Sequence, residues 1–214
     1  MTDGFPDWLP LAALLPAAAV LVWAGWRLPL YKLEGDAEAL RVLLVGTVVL
    51  AAMRWFNTSA MQGVMLHFLG ASIATLMFGA RFACWVMALV SLSGWAMHAA
   101  WLGWAPDFLA TGALPIAVTA AISRLAGRWV PANIFSYILV NAFLAGALAM
   151  AASILFKACV AWLLGAEGAS AYLAATPLLM YGEAFFTGTT LALVVVYRPQ
   201  WCATFDDETY LRGP

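Results

Sequence analysis

The chain has 214 residues, 65% of them apolar and only 10% charged, with a mean hydropathy of +0.91 and a formal net charge of −1. Soluble domains run nearer roughly 45–50% apolar and roughly 25% charged, so a water-exposed globular fold is excluded. No basic run or base-stacking motif points to nucleic acid, and Cys84, Cys159 and Cys202, far apart and without CxxC spacing, give neither a disulfide framework nor a thiolate metal centre.

In lipid, every backbone polar group needs an internal partner, which restricts a spanning chain to helices or a closed barrel. Apolar runs of about 20 residues without period-2 alternation select helices. Taken in chain order, they predict seven, near 8–28, 38–55, 61–79, 82–102, 108–126, 132–164 and 177–197. The opening MTDGFPDW has no positive segment ahead of its apolar stretch, so the first helix is expected to be retained rather than cleaved. Asn57-Thr58-Ser59 precedes the third run and Gly79-Ala80-Arg81 follows it, Pro106-Asp107 precedes the fifth, and Thr176-Pro177 reads as an N-cap with proline at the first helical position. The sixth run exceeds what one bilayer needs and must tilt, bend or project.

Basic residues set the orientation. Arg27, Lys32, Arg41, Arg81, Arg124, Arg128, Arg198 and Arg212 fall on one side of this scheme, whereas Asp3, Asp7, Asp107 and Glu167 fall on the other with Arg54 nearby. The positive-inside rule then puts the amino terminus outside and the carboxyl terminus in the cytoplasm. The predicted fold is an all-α, multi-pass bundle of about seven transmembrane helices in the inner membrane. It forms a single transmembrane domain over 1–214, ending in a short cytoplasmic tail at 198–214 that lies on the membrane surface.

Ionisable groups inside a membrane span are costly and mark function by default. At 1.5 Å per residue, His67 lies about 9 Å below the outer end of the third helix, His98 about 6 Å, Lys157 about 12 Å and Glu183 about 9 Å below the outer ends of theirs. Four helices thus bring ionisable groups to one depth, with Arg54 just above. An outward-opening polar pocket accounts for them, with Glu183 pairing with Lys157 or Arg54 and the imidazoles facing the cavity. Met53, Met61, Met65 and Met97 belong to the same layer, and imidazole with thioether favours soft or borderline transition metals. His67 and His98 as axial ligands of a b-type haem, in a membrane electron carrier, are the alternative from another class. Ser91, Ser93 and His98 share one helix at spacings that form no tight dyad, which argues against a hydrolase.

The H-x-x-G-A core (His67, Gly70, Ala71), the run PANIFSYILVNAFLAGALAM and the segment GEAFFTGTTLALVVVYRP together resemble the cobalt/nickel energy-coupling-factor permeases of the CbiM/NikM type, from about residue 38 onward. The last two blocks and the ending RPQWCATFDDETYLRG look like a shorter proteobacterial branch. The resemblance implies a non-enzymatic substrate-capture subunit that binds divalent cobalt or nickel near the periplasmic face. Its ligands would be the Met1 amine and His67, with His98, Met65 or an Asp3 oxygen as the candidates to complete the set. It departs from the family pattern at position 2, where Thr2 replaces a ligating histidine. A non-transporting assembly subunit is a further alternative. No GxxxxGK[ST] occurs, so this chain binds no nucleotide of its own, and transport requires separate ATPase and transmembrane coupling subunits. Small faces such as Ala145 and Ala149 are candidate docking surfaces for the latter.

Overall fold

A computed structural model of the chain describes residues 8–55, 58–61, 64–66, 68–96, 101–165 and 169–211. The helices are α1 (Trp8–Trp26), α2 (Ala37–Trp55), α3 (Ala71–Phe78), α4 (Ala80–Ala96), α5 (Trp104–Trp129), α6 (Ile134–Leu163), α7 (Ala169–Tyr197) and a short α8 (Asp207–Leu211). Four of them, α1, α5, α6 and α7, are long and apolar enough to cross a bilayer. Helix α2 has 19 residues but carries Glu38, Arg41 and Arg54, and α4 has 17. The molecule is a helical membrane bundle, as the composition requires.

Local sequence explains some of the boundaries. Asp36 accepts from the Ala39 N–H at 2.9 Å and caps α2, and Asn133, in extended geometry, accepts from the Ser136 N–H at 2.8 Å to start α6. Pro115 lies inside α5, and its missing N–H is accommodated by a wider π turn over Leu109–Ala113 just before it. Helix α6 is continuous over 30 residues, with a second π segment at Tyr137–Leu144.

Two expected helix boundaries change. The stretch expected to be a helix over 61–79 is helical only from Ala71 to Phe78, about 12 Å. Before it, a two-stranded ladder joins β1 (Thr58–Met61) to β2 (Val64–Leu66), and Phe68–Gly70 is non-helical. Gly70, at φ +64°, occupies the left-handed region and stops the helix from extending backward. Nor does Pro177 begin the last long helix, because α7 starts eight residues earlier at Ala169 and carries the proline inside. The Thr176 hydroxyl donates to the Tyr172 carbonyl one turn back instead of capping. Membrane helices tolerate such prolines when neighbouring groups satisfy the freed backbone.

Helices α6 and α7 make the most extensive pairing, with α5 alongside α6; α4 packs against α1, α2, α3 and α5. Ala145 and Ala149 are fully buried, so this small-residue face is spent within the chain and is not a docking surface. One end of the bundle collects the close of α1 and the start of α4, where Arg81 donates to the Arg27 carbonyl and lies over the Trp23 ring. There Trp201, just beyond α7, also donates to Glu38 of α2 at 2.7 Å. The tail does more than lie on the surface. It packs Cys202 and Phe205 into a buried cluster with Leu76, Tyr137 and Leu191. It also caps α3, as Ala203 N–H donates to Met77 O at 2.8 Å and the Thr204 hydroxyl to Leu76 O at 2.8 Å.

Candidate functional site

Glu183 is the central residue of the 29-residue α7, about 21 Å from either end, deeper than a helix beginning at Pro177 would place it. Its side chain is fully buried. One carboxylate oxygen accepts from the Leu69 N–H at 2.9 Å and the other from the Gly70 N–H at 3.0 Å. These amides are free because Phe68–Gly70 is not helical, and they sit where the positive end of α3 begins. The left-handed turn at Gly70 aims successive N–H groups the same way, forming an anion-binding concavity. Among the described residues, this buried carboxylate is thus satisfied by backbone donors and a helix dipole rather than by a cationic side chain.

The same segment is held from two further directions. The Phe68 ring packs against Phe186 with centroids 5.3 Å apart, and a Cβ on Gly182 would stand 3.3 Å from the Phe68 ring. Leu50 of α2 fills the space over Gly70. Behind it, the Ser72 and Thr119 hydroxyls share a 2.9 Å hydrogen bond that ties α3 to α5.

The other charged residues gather elsewhere. Arg54, near the end of α2, forms an ion pair with Asp107, in the first turn of α5, both side chains being largely buried at 11% and 13% exposure. Lys157 of α6 lies within electrostatic range of both Asp107 and Arg54. The expected pairing of Glu183 with Lys157 or Arg54 is therefore replaced by two separate arrangements, one between backbone and carboxylate, the other among Arg54, Asp107 and Lys157. The reason is depth, since Glu183 sits at mid-helix and the cations near helix ends. Sequence reasoning missed Asp107, whose signal was its place in a first helical turn, and missed the Leu69 and Gly70 amides, whose signal was the helix-breaking glycine.

The expected metal ligands Met1, Asp3, His67 and His98 lie outside the described residues, as do Met97, the side chains of Met61 and Met65, and Thr2, Asp7, Glu167 and Arg212. Among the described residues no three His, Cys, Asp or Glu side chains converge on a metal-sized centre. Outside the spans, burial pushes the Cys202 thiol up to about 12, partly offset by its contact with Tyr137. Asp206 is held below the usual carboxylate range by the hydroxyl and N–H of Thr209, in the first turn of α8.

A long-helix bundle enclosing a half-length helix, with a buried carboxylate at its tip, defines a polytopic membrane protein rather than a single-span anchor. Residues 1–201 match the family model CbiM, the cobalt uptake substrate-specific transmembrane region. The chain belongs to that family, whose members are membrane components of metal uptake. A crystal structure of a transition metal transporter matches with a TM-score of 0.66 at 17% identity, covering 92% of each chain. A crystal structure of a truncated transition metal transporter matches at 0.61 and 16%, covering 89% of this chain and 94% of the other. At such identities the likeness shows a shared fold. A comparison with curated protein sequences finds no match.

Proposed function

We propose that this chain is the substrate-capture subunit of an energy-coupling-factor type transporter in the inner membrane, taking up divalent cobalt or nickel from the outer face. The observation that carries the reading is the family match over nearly the whole chain. Consistent with it, the backbone segment directly after His67 is built into the core by Glu183. A neutral imidazole from His67 and the Met1 amine are nitrogen donors suited to these metals. Asp3 or His98 takes the place that Thr2 vacates. Orientation follows the charges: the end bearing Arg27, Arg81 and Arg198 faces the cytoplasm, and the Arg54–Asp107 end faces outward. With no phosphate-binding loop in the sequence, ATP hydrolysis falls to separate subunits, coupled through a second membrane component.

The test is metal analysis of purified protein after cobalt or nickel supplementation, alongside His67→Ala and a variant with residues appended before Met1. Near-stoichiometric metal in the wild type and its loss in both variants is the expected result. A wild type without bound transition metal refutes the reading, and a Soret band in its place would select the haem alternative.

A further inference from the structure

The geometry points to a binding site for the phosphate headgroup of an anionic phospholipid at the seam between α1 and α4, built from Arg27 and Arg81 with Trp23 and Trp85 beside them. The two helices present the same pair in mirror order. Arg27 directly follows α1 and Trp23 lies one turn back; α4 opens at Ala80, and Arg81 is followed one turn on by Trp85. Residues four apart share a helix face, so each arginine stands at the bundle's end with an indole about 6 Å deeper along the same helix.

The pairs interlock across the seam. The Arg81 guanidinium lies over the Trp23 ring of α1, 5.8 Å from its centroid, and donates to the Arg27 carbonyl. Trp85 in turn packs on Gly25, where a Cβ would stand 3.4 Å from its ring. Both indoles keep an open side, at 54% exposure for Trp23 and 41% for Trp85. Among the described residues neither arginine forms an ion pair, and no carboxylate of the connection to α2 neutralises them. Asp36 there caps α2, and Glu38 accepts from Trp201.

Two unneutralised guanidiniums at one end of a membrane bundle call for an anion, and arginine holds phosphate through a fork of N–H donors. The indoles one turn deeper choose the source of that phosphate. Such amphipathic rings belong at headgroup level, and their exposed faces fit the glycerol and first methylenes of a lipid rather than a free ion in water. Basic side chains set between membrane helices bind headgroups on these grounds. The consequence is structural: of the 19 residues of α1 only Ala13, Ala17 and Ala24 are buried, so little apolar side chain fastens this helix to the bundle. A phosphate shared by Arg27 and Arg81 ties α1 to α4 and stabilises the folded chain by mass action. Headgroup binding here is independent of which ion the chain carries.

The experiment uses the full chain in detergent, titrated with phosphatidylglycerol or with phosphatidylcholine of the same acyl chains, and read by native mass spectrometry and thermal unfolding. The wild type is expected to prefer phosphatidylglycerol by about 25-fold, about fivefold for each arginine, and to unfold at a higher temperature with it. Arg27→Gln and Arg81→Gln are each expected to weaken phosphatidylglycerol about fivefold and to shrink the thermal shift, leaving phosphatidylcholine binding unchanged. Arg124→Gln on α5, at the same end of the bundle, is the control and is expected to change neither. If Arg81→Gln does not fold, Arg27→Gln decides, because that side chain is exposed. Equal affinity for the two lipids overturns the site, as does unchanged phosphatidylglycerol binding in Arg27→Gln. A loss in Arg124→Gln as large as that in Arg27→Gln overturns it in favour of the general positive charge of that face. Displacement of the lipid by inorganic phosphate overturns it in favour of a free anion.

Discussion

Replacing Gly70 with alanine tests the backbone turn on which the buried carboxylate depends. At φ +64° an L-residue bears a conformational cost of about 1–2 kcal/mol. The added Cβ would also stand 2.3 Å from Leu50 Cδ2 and 3.6 Å from Leu50 Cγ. Leu50 is itself buried in the main core, so its side chain has little room to retreat, and overpacking of this kind costs about 1–3 kcal/mol. The two contributions together predict a destabilisation of about 2–5 kcal/mol, read by reversible unfolding in detergent. A double-mutant cycle with Leu50→Ala separates them. The clash should appear as non-additivity of about 1–3 kcal/mol, and the backbone share should remain in the double variant. Wild-type stability in Gly70→Ala, or strict additivity in the cycle, would refute the left-handed turn beneath Leu50.

Two further predictions concern the ends of the bundle. Asp107→Asn removes the carboxylate charge beside the largely buried Arg54 guanidinium while Lys157 stays within electrostatic range, and should cost about 1–3 kcal/mol in the same unfolding assay; adding Lys157→Met should return part of it. At the other end, the Cys202 thiol titrates near 12 when folded against an ordinary value of 9.0, so the unfolded tail loses its proton first. The stabilisation it contributes is intact below about pH 9 and falls as pH rises from there toward 12. Thiol alkylation of Cys202 should therefore be slow at neutral pH and accelerate with alkaline release of the tail, and the alkaline loss should shrink in Cys202→Ala. Rapid labelling at pH 7 would contradict a buried thiol.

The candidate site was legible in parts, and the parts divide by the range of the interaction. Glu183 stood out because a carboxylate in an apolar run has few local explanations, and Gly70 because it interrupts one. Their meeting joins residues 113 and 114 positions apart, which no periodicity encodes. Charge sign suggested a lysine or arginine partner, but a pair of main-chain amides competes equally well for a carboxylate and is invisible in a list of side chains. Arg54 likewise took Asp107, 53 residues away, over Glu183, because it lies at the same end of the bundle.

Composition alone determined that this chain lives in lipid, since 65% apolar residues cannot be covered by the few charged ones. Local chemistry fixed the caps at Asp36 and Asn133, where a side chain reaches its own backbone within three residues. Tertiary structure decided where the third apolar stretch is a helix and where it is not, and whether Pro177 starts a helix or sits inside one. It also turned Ala145 and Ala149 inward and folded Cys202 and Phe205 against Leu76. In a bilayer, the cost of an unpaired backbone group outweighs local propensity, so an element ends where some other part of the chain can satisfy what it leaves exposed.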